Sequence, residues 1–227
     1  MSKVQHYYNE RVSKSSDLYR QVGKTIQGQP VGEEQLRLIA TGITSALGLC
    51  SGDTVMDIGC GNGLVTRVIA PKVSRVIGVE QNPGLYESAL ENSSAENLTY
   101  IRSDILDVDA LNFNCNKAYM YEVIQHVEYN KLRDFMHFFK SSFLSGSRVF
   151  IGGIPDEEKK WHFYNSRSRR CELLEALMVS GDPMGTWFHR DYLSHLGDAY
   201  GLRVRIIPQS ESLYTSHYRF DCLIEVL

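Results

Sequence analysis

The sequence predicts an α/β chain built on a parallel sheet that ends in a β-hairpin. Three observations carry this. Short apolar runs alternate with helix-length stretches between residues 54 and 154. Three of those runs, TVMDI, RVIGVE and LTYIRSD, bring an acid to their carboxyl ends. After residue 200, LRVRIIPQ and HYRFDCLIEVL follow one another with no helix-length segment between them. Strands that alternate with helices need right-handed crossovers and form a parallel sheet covered on both faces. Two adjacent strands joined by a loop are most simply antiparallel.

The elements follow in order. Residues 3–28 are polar and aromatic, with Tyr7, Tyr8 and Tyr19. Gly23, Gly28, Pro30 and Gly32 break this stretch into a helix or two plus a loop. In EEQLRLIATGITSALGL, Leu36, Ile39, Ile43 and Leu47 recur at three to four residues, and Glu33 and Glu34 occupy the first turn, which predicts a helix. Ser51, Gly52 and Asp53 make a turn. Strand TVMDI is followed by a helix over 63–70 that Pro71 stops, a strand over 75–80 and a helix over 83–95. Strands over 98–104 and 117–124, a helix over about 130–143 and a strand over 148–154 complete the alternation. Met and aromatic residues of FMHFF, 135–139, are read as core. A helix near 189–200 leads into the terminal pair. Residues 155–188 do not fit the pattern. They hold Trp161, Phe163, Tyr164, Trp187 and a basic cluster, and read as a cap inserted over the strand ends of one domain spanning 1–227.

Composition narrows the class. With 227 residues and a net charge of -3, the chain lacks the basic excess of a nucleic-acid binder, so no nucleic-acid partner is expected. The five cysteines form no C-x-x-C pair and are odd in number, which argues against a disulfide framework or zinc site and fits a reducing, cytoplasmic location. MSKVQHYYNERVSK has no apolar h-region, and no apolar run approaches the ~18 residues of a membrane span. His162, His189, His195 and His217 lack metal-ligand spacing, so no metal is expected.

Chemistry concentrates at the strand ends. Ligands of an open parallel sheet bind beyond the carboxyl ends of its strands, where Asp57, Glu80 and Asp104 fall. Glycines after Asp57 let backbone approach a ligand. An acid closing the second strand suits two vicinal ribose hydroxyls, and one after the third can accept from an adenine amine. The dinucleotide fingerprint G-x-G-x-x-G is not met: Gly59, Gly61 and Gly63 alternate, and Leu64 stands at the third glycine position. Asp57 directly before the turn would oppose a pyrophosphate, and suits a ligand with a positive group such as an amino acid's ammonium. No P-loop motif occurs.

DIGCGNG at 57–63, GVE ending at Glu80, SDI at 103–105 and YEVIQHV at 121–127 together resemble the class I S-adenosylmethionine-dependent methyltransferases. The resemblance implies a Rossmann-like, mostly parallel seven-stranded sheet with an antiparallel C-terminal strand, and an N-terminal helical lid over 1–32. It implies that Asp57 and the backbone of Gly59, Cys60, Gly61 and Gly63 hold the methionine part of S-adenosylmethionine. Glu80, with Gln81 beside it, would take the ribose, Asp104 and Ile105 would frame the adenine, and Tyr121 and Glu122 would lie near the cofactor. An N-terminal tyrosine (Tyr7, Tyr8 or Tyr19), Tyr8 foremost, would close over the site. Cys60 reads as a small tolerated residue and not a nucleophile. YRQVGKTIQGQP, GGIPD, FYNSRSRR, DPMGTWF and HYRFD look like small methyltransferases of bacterial surface-polysaccharide biosynthesis.

The acceptor is less legible. His126 is either a general base toward it or a structural histidine. KKWHFYNSRSRR, 159–170, is either a solvated face or part of a cap for an anionic acceptor, with Tyr164, Arg167 and Trp187 as candidate substrate contacts. A hydroxyl of a sugar or sugar-phosphate is the leading small-molecule acceptor. An amine, or a non-catalytic cofactor-binding module, are the alternatives.

Overall fold

The computed structural model describes residues 3–227. A two-strand hairpin, β1 (Thr25–Ile26) and β2 (Gln29–Pro30), sits in the N-terminal segment after helices α1 (Lys3–Lys14) and α2 (Leu18–Gln21). The main sheet comprises β3 (Thr54–Ile58), β4 (Arg75–Glu80), β5 (Leu98–Arg102), β6 (Lys117–Tyr121), β7 (Arg148–Pro155), β8 (Leu202–Pro208) and β9 (Arg219–Val226). Its order is β5-β4-β3-β6-β7-β9-β8, and only β9 runs antiparallel to its neighbours. The expected seven-stranded, mostly parallel sheet with an antiparallel last strand is borne out.

Strand alternation sorts the core. Val55 joins one apolar layer, while Met56 and Ile58 divide from it onto the other face, as a period of two requires. The first layer lies beneath α3 (Glu33–Leu47), whose Leu36, Ile39, Ile43 and Leu47 are all buried as their spacing predicted. Each such side chain contributes roughly 1.5–3 kcal/mol of transfer free energy. The second layer takes α6 (Leu132–Ser142), with Met136, Phe138 and Phe139 buried, and α9 (Arg190–Ala199), which buries Leu193.

Several boundaries moved. The expected helix over 63–70 is only α4 (Thr66–Ile69), and Pro71 does not stop it: the chain tightens into a 3₁₀ turn, Ala70–Lys72, in which Pro71 needs no N–H partner. The helix after β4 is α5 (Pro83–Asn92), opened by an Asn82 side chain that accepts from Leu85 N–H. The strand expected over 117–124 ends at Tyr121 because Glu122 adopts a left-handed φ of 59°, and Ile124–His126 form a 3₁₀ turn.

Residues 155–188 carry two helices, α7 (Lys160–Phe163) and α8 (Arg167–Val179). They have a small core of their own in which Tyr164, Leu173, Trp187 and Tyr218 are buried together. Asp182 organises it: Tyr164 O–H donates to its carboxylate, Trp187 Nε1 donates at 2.9 Å and Lys160 pairs with it at 2.9 Å.

Candidate functional site

A cavity of about 800 Å³ opens where the sheet order reverses, between the ends of β3 and β6. The turn after β3 forms one wall. Gly59 stands at φ +71°, and an added Cβ would sit 2.8 Å from a Val123 methyl. Only glycine fits there. The next helix starts several residues later, at Thr66.

Two acids fix this turn. Asp57, 3% exposed, accepts at Oδ2 from Thr66 Oγ1 at 2.6 Å and Tyr119 O–H at 2.7 Å. Burial outweighs those bonds and pushes its carboxyl up to about 7. Glu80 accepts from Gly61 N–H at 2.9 Å through one oxygen and from Asn82 N–H at 2.7 Å through the other. Burial raises its carboxyl as well, against those backbone bonds. Glu80 thus clamps the glycine turn to the β4 end while facing the cavity.

Of the residues expected at the cofactor, Tyr8, Asp57, Gly59, Cys60, Gly61, Glu80, Gln81, Asp104, Ile105, Tyr121 and Glu122 all line this one cavity. Gly63 does not. A Cβ there would come 2.6 Å from Ser93 Cβ, so its lack of a side chain serves packing behind the turn. Burial pushes the Cys60 thiol well up, which leaves it protonated and inert. Among the three N-terminal tyrosines, Tyr8 alone lines the cavity. Tyr7 accepts from Arg11 Nη1 and Tyr19 donates to Glu33, both on the exterior. Phe135 packs against the core as expected and also lines the cavity.

The far end holds His126, whose Nε2 lies 2.9 Å from Tyr8 O–H. Burial, with the nearby Arg219 cation, pulls the imidazole down to about 4. His126 is therefore neutral at physiological pH. Lys24 reaches in from the N-terminal segment, meets Glu122 at 2.6 Å and lies over the Tyr121 ring. Burial alone would raise Glu122, but Lys24 and Arg219 outweigh it and hold the carboxyl below its ordinary value. Tyr214 O–H donates to the other Glu122 oxygen at 3.1 Å. Behind these groups the β7–β9 register slips between Ile151 and Ile154. Asp221 and Arg219 satisfy the backbone freed there: Gly153 N–H donates to Asp221 at 2.8 Å, and Arg219 donates to Gly153 C=O.

Sequence reasoning missed Lys24, Asn62, Arg219 and Asp221. Asn62 donates to Leu18 C=O at 2.8 Å and to Gln21 at 2.9 Å, tying the glycine turn to the N-terminal segment. The only signal for Lys24 was its place after Gly23, which is common for an ordinary surface lysine.

Three expected substrate contacts need correction. Tyr164 and Trp187 are spent in the small core around Asp182, and Arg167 sits exposed at the start of α8; none lines the cavity. Their aromatic bulk is explained by packing. Among the described residues there is no cluster of three or more metal-ligating side chains.

Comparisons with known proteins decide the class. Residues 55–142 match the family of the methyltransferase domain. Over this stretch the chain is similar to that domain. It is 33% identical over 147 residues to a probable ribosomal RNA small subunit methyltransferase A of Methanosarcina mazei, covering 64% of this chain and 53% of that one. It is 29% identical over 109 residues to a probable cobalt-precorrin-6B C(15)-methyltransferase (decarboxylating) of Methanococcus vannielii, covering 47% and 56%. The chain thus spans about half the length of these two relatives. Among solved structures it resembles magnesium protoporphyrin IX methyltransferase from Synechocystis PCC 6803 with bound SAH, at TM-score 0.64 and 12% identity, over 99% of this chain and 95% of that one. A chain from the complex of the Haloferax volcanii Trm112 methyltransferase activator with a methyltransferase is similar at TM-score 0.71 and 13% identity, over 99% and 97%.

The expected class I methyltransferase fold and its S-adenosylmethionine cofactor are borne out at the level of the domain. The narrower likeness to surface-polysaccharide enzymes finds no support among these relatives. The exclusion of nucleic acid is overturned, because relatives named as RNA methyltransferases match this chain. Net charge misled here: it averages the whole surface, whereas a polyanion needs only local cations.

Proposed function

We propose that this chain transfers a methyl group from S-adenosylmethionine to an oxygen of a hydroxyl-bearing acceptor, with residues 1–32 as lid and His126 as the proton-accepting group. The observation that carries this reading is the neutral His126, bonded to Tyr8 O–H, in the same cavity as the Asp57–Glu80–Asp104 set.

The residues present fit the cofactor. Cβ-free backbone at Gly59 leaves room against Val123. Asp57 is a buried carboxylate with no cation bonded to it among the described residues, which suits an ammonium. Lys24, although paired, is placed to meet a carboxylate. Glu80 faces the cavity and would accept ribose hydroxyls, and Asp104, on the wall of the same cavity, would take an adenine amine. When bound, the cofactor supplies a methyl group already activated on a sulfonium.

His126 then needs only to accept the hydroxyl proton as the acceptor oxygen gains its methyl. A neutral Nε2 can do this when the acceptor hydroxyl takes the place of Tyr8 O–H beside it. Alignment of the acceptor supplies much of the rest of the rate. A sugar or sugar-phosphate hydroxyl belongs to this acceptor class. Relatives and fold neighbours named for a corrin precursor, RNA and a porphyrin single out no acceptor for this chain.

Calorimetry with S-adenosylhomocysteine and with NAD tests the cofactor: binding of the first alone is expected, and the reverse would sink the reading. Methyl transfer from labelled cofactor to a panel of hydroxyl and amine acceptors tests the chemistry. Turnover on amines alone, unaffected by His126→Ala, would remove the oxygen assignment.

A further inference from the structure

Helix α8 is exposed on almost every side, and of its 13 residues only Leu173 is buried. Its outward surface is not polar. Leu174 is 62% exposed, Leu177 52% and Met178 87%. Arg167, Arg170, Leu174, Leu177 and Met178 recur at three- and four-residue spacing and so share one face. Glu172 falls on the opposite face, and Glu175 flanks the stripe beside Met178. The exposed stripe therefore runs from two arginines to three apolar side chains with no acid in it. Val179, 85% exposed, ends the helix, and Trp161, 62% exposed, projects from the adjoining α7. These two ends are held together, since Lys160 pairs with Asp182 at 2.9 Å, three residues beyond Val179.

We propose that this face of α8, with Trp161, docks peripherally on an anionic lipid bilayer. The separation of charge carries the choice of partner. A stripe that is apolar and basic, with the acids outside it, matches a surface with apolar chains under negative headgroups, and an indole suits the boundary between them. A nucleic acid would reward the arginines but leave Leu174, Leu177 and Met178 in water. No described helix is long and apolar enough to cross a membrane, so contact on this face is peripheral. Ser180, the next residue after Val179, lines the cavity. On the methyl-transfer reading above, this places the bilayer surface beside the acceptor's route, and the acceptor is an amphiphile whose polar end enters the cavity.

The test is flotation of the full chain with phosphatidylcholine vesicles, with and without phosphatidylglycerol. Binding is expected on the anionic vesicles and only weakly on phosphatidylcholine alone. The triple variant Leu174→Glu, Leu177→Glu, Met178→Glu is expected to lower the bound fraction about tenfold or more. Arg167→Glu with Arg170→Glu is expected to remove the preference for anionic lipid. Unchanged S-adenosylhomocysteine binding by each variant shows that it is folded, and because flotation does not depend on turnover, its outcome is separate from that of the proposed reaction. Failure of the unaltered chain to float, or flotation that the triple variant retains, overturns the proposal. So does light scattering that shows a dimer dissociated by the triple variant, which would give the face to a second copy. Gel shift of RNA abolished by the arginine changes alone, without lipid binding, would also overturn it.

Discussion

Asp57 and Glu122 are acids beside the same cavity, yet the protein moves them in opposite directions. Among the described residues Asp57 is bonded by two hydroxyls and rises to about 7, whereas Glu122 meets Lys24 and feels Arg219, and falls below its ordinary value. One end of the cavity thus has a buried carboxyl with no cation bonded to it among the described residues. The other end is electrically complete, with its ions drawn from the N-terminal segment, from β9 and from the bend after β6.

The difference can be broken at either end. His126→Ala is expected to have the largest effect, a loss of ~100-fold or more in the single-turnover rate, since general-base contributions are of that order; single-turnover kinetics at saturating cofactor reads this apart from cofactor binding. Glu80→Ala comes next. It removes the acceptor of two backbone N–H groups as well as the proposed ribose partner, and calorimetry is expected to show S-adenosylhomocysteine binding weakened by about 2 kcal/mol, roughly 30-fold. Retained affinity would place the cofactor elsewhere.

Acidity sharpens the contrast. Because Asp57 rises to about 7 in the ligand-free protein and an ammonium favours its ionised form, cofactor affinity is expected to fall as pH drops below about 7, by at most ~10-fold per unit for a single proton. Titrating binding between acid and neutral pH checks this. Asp57→Asn should show little of that pH dependence.

The smallest effect is on stability without ligand. A folded carboxyl raised above its ordinary 3.8 holds more protons than the unfolded one, so its contribution declines as pH rises from 3.8 to about 7 and is flat above. Asp57→Asn keeps an oxygen for Thr66 and Tyr119 and escapes that decline. Its melting temperature is expected to exceed that of the unaltered chain at pH 8 and to approach it at acid pH, as calorimetric scans would show.

The same division explains what the sequence disclosed. TVMDI, RVIGVE and the spacing of Leu36, Ile39, Ile43 and Leu47 are local patterns, and the elements they predicted formed nearly where expected. The glycine turn was legible because its chemistry sits within a few residues of Asp57. The far end was not. Lys24 and Glu122 are widely separated in sequence, and nothing in either neighbourhood marks their meeting. Tyr164 and Trp187 misled for a related reason: an aromatic wanted by a small local core looks, in sequence, like one that waits for a substrate. Asp182, which binds both, is a single acid in a loop.

The N-terminal segment is fastened over the cavity at several points: Lys24 to Glu122, Tyr8 to His126, Asn62 to Leu18 and Gln21, and Asn82 to the Gln5 carbonyl. On the proposed reading, release of spent cofactor would part some of these. On the proposed methyl-transfer reading, turnover is therefore expected to be set by departure and not by chemistry, so that the first turnover runs as a burst and later ones follow at the slower pace of unfastening. Lys24→Ala, which undoes one fastening, would then shorten the residence of S-adenosylhomocysteine even as it weakens the hold on it.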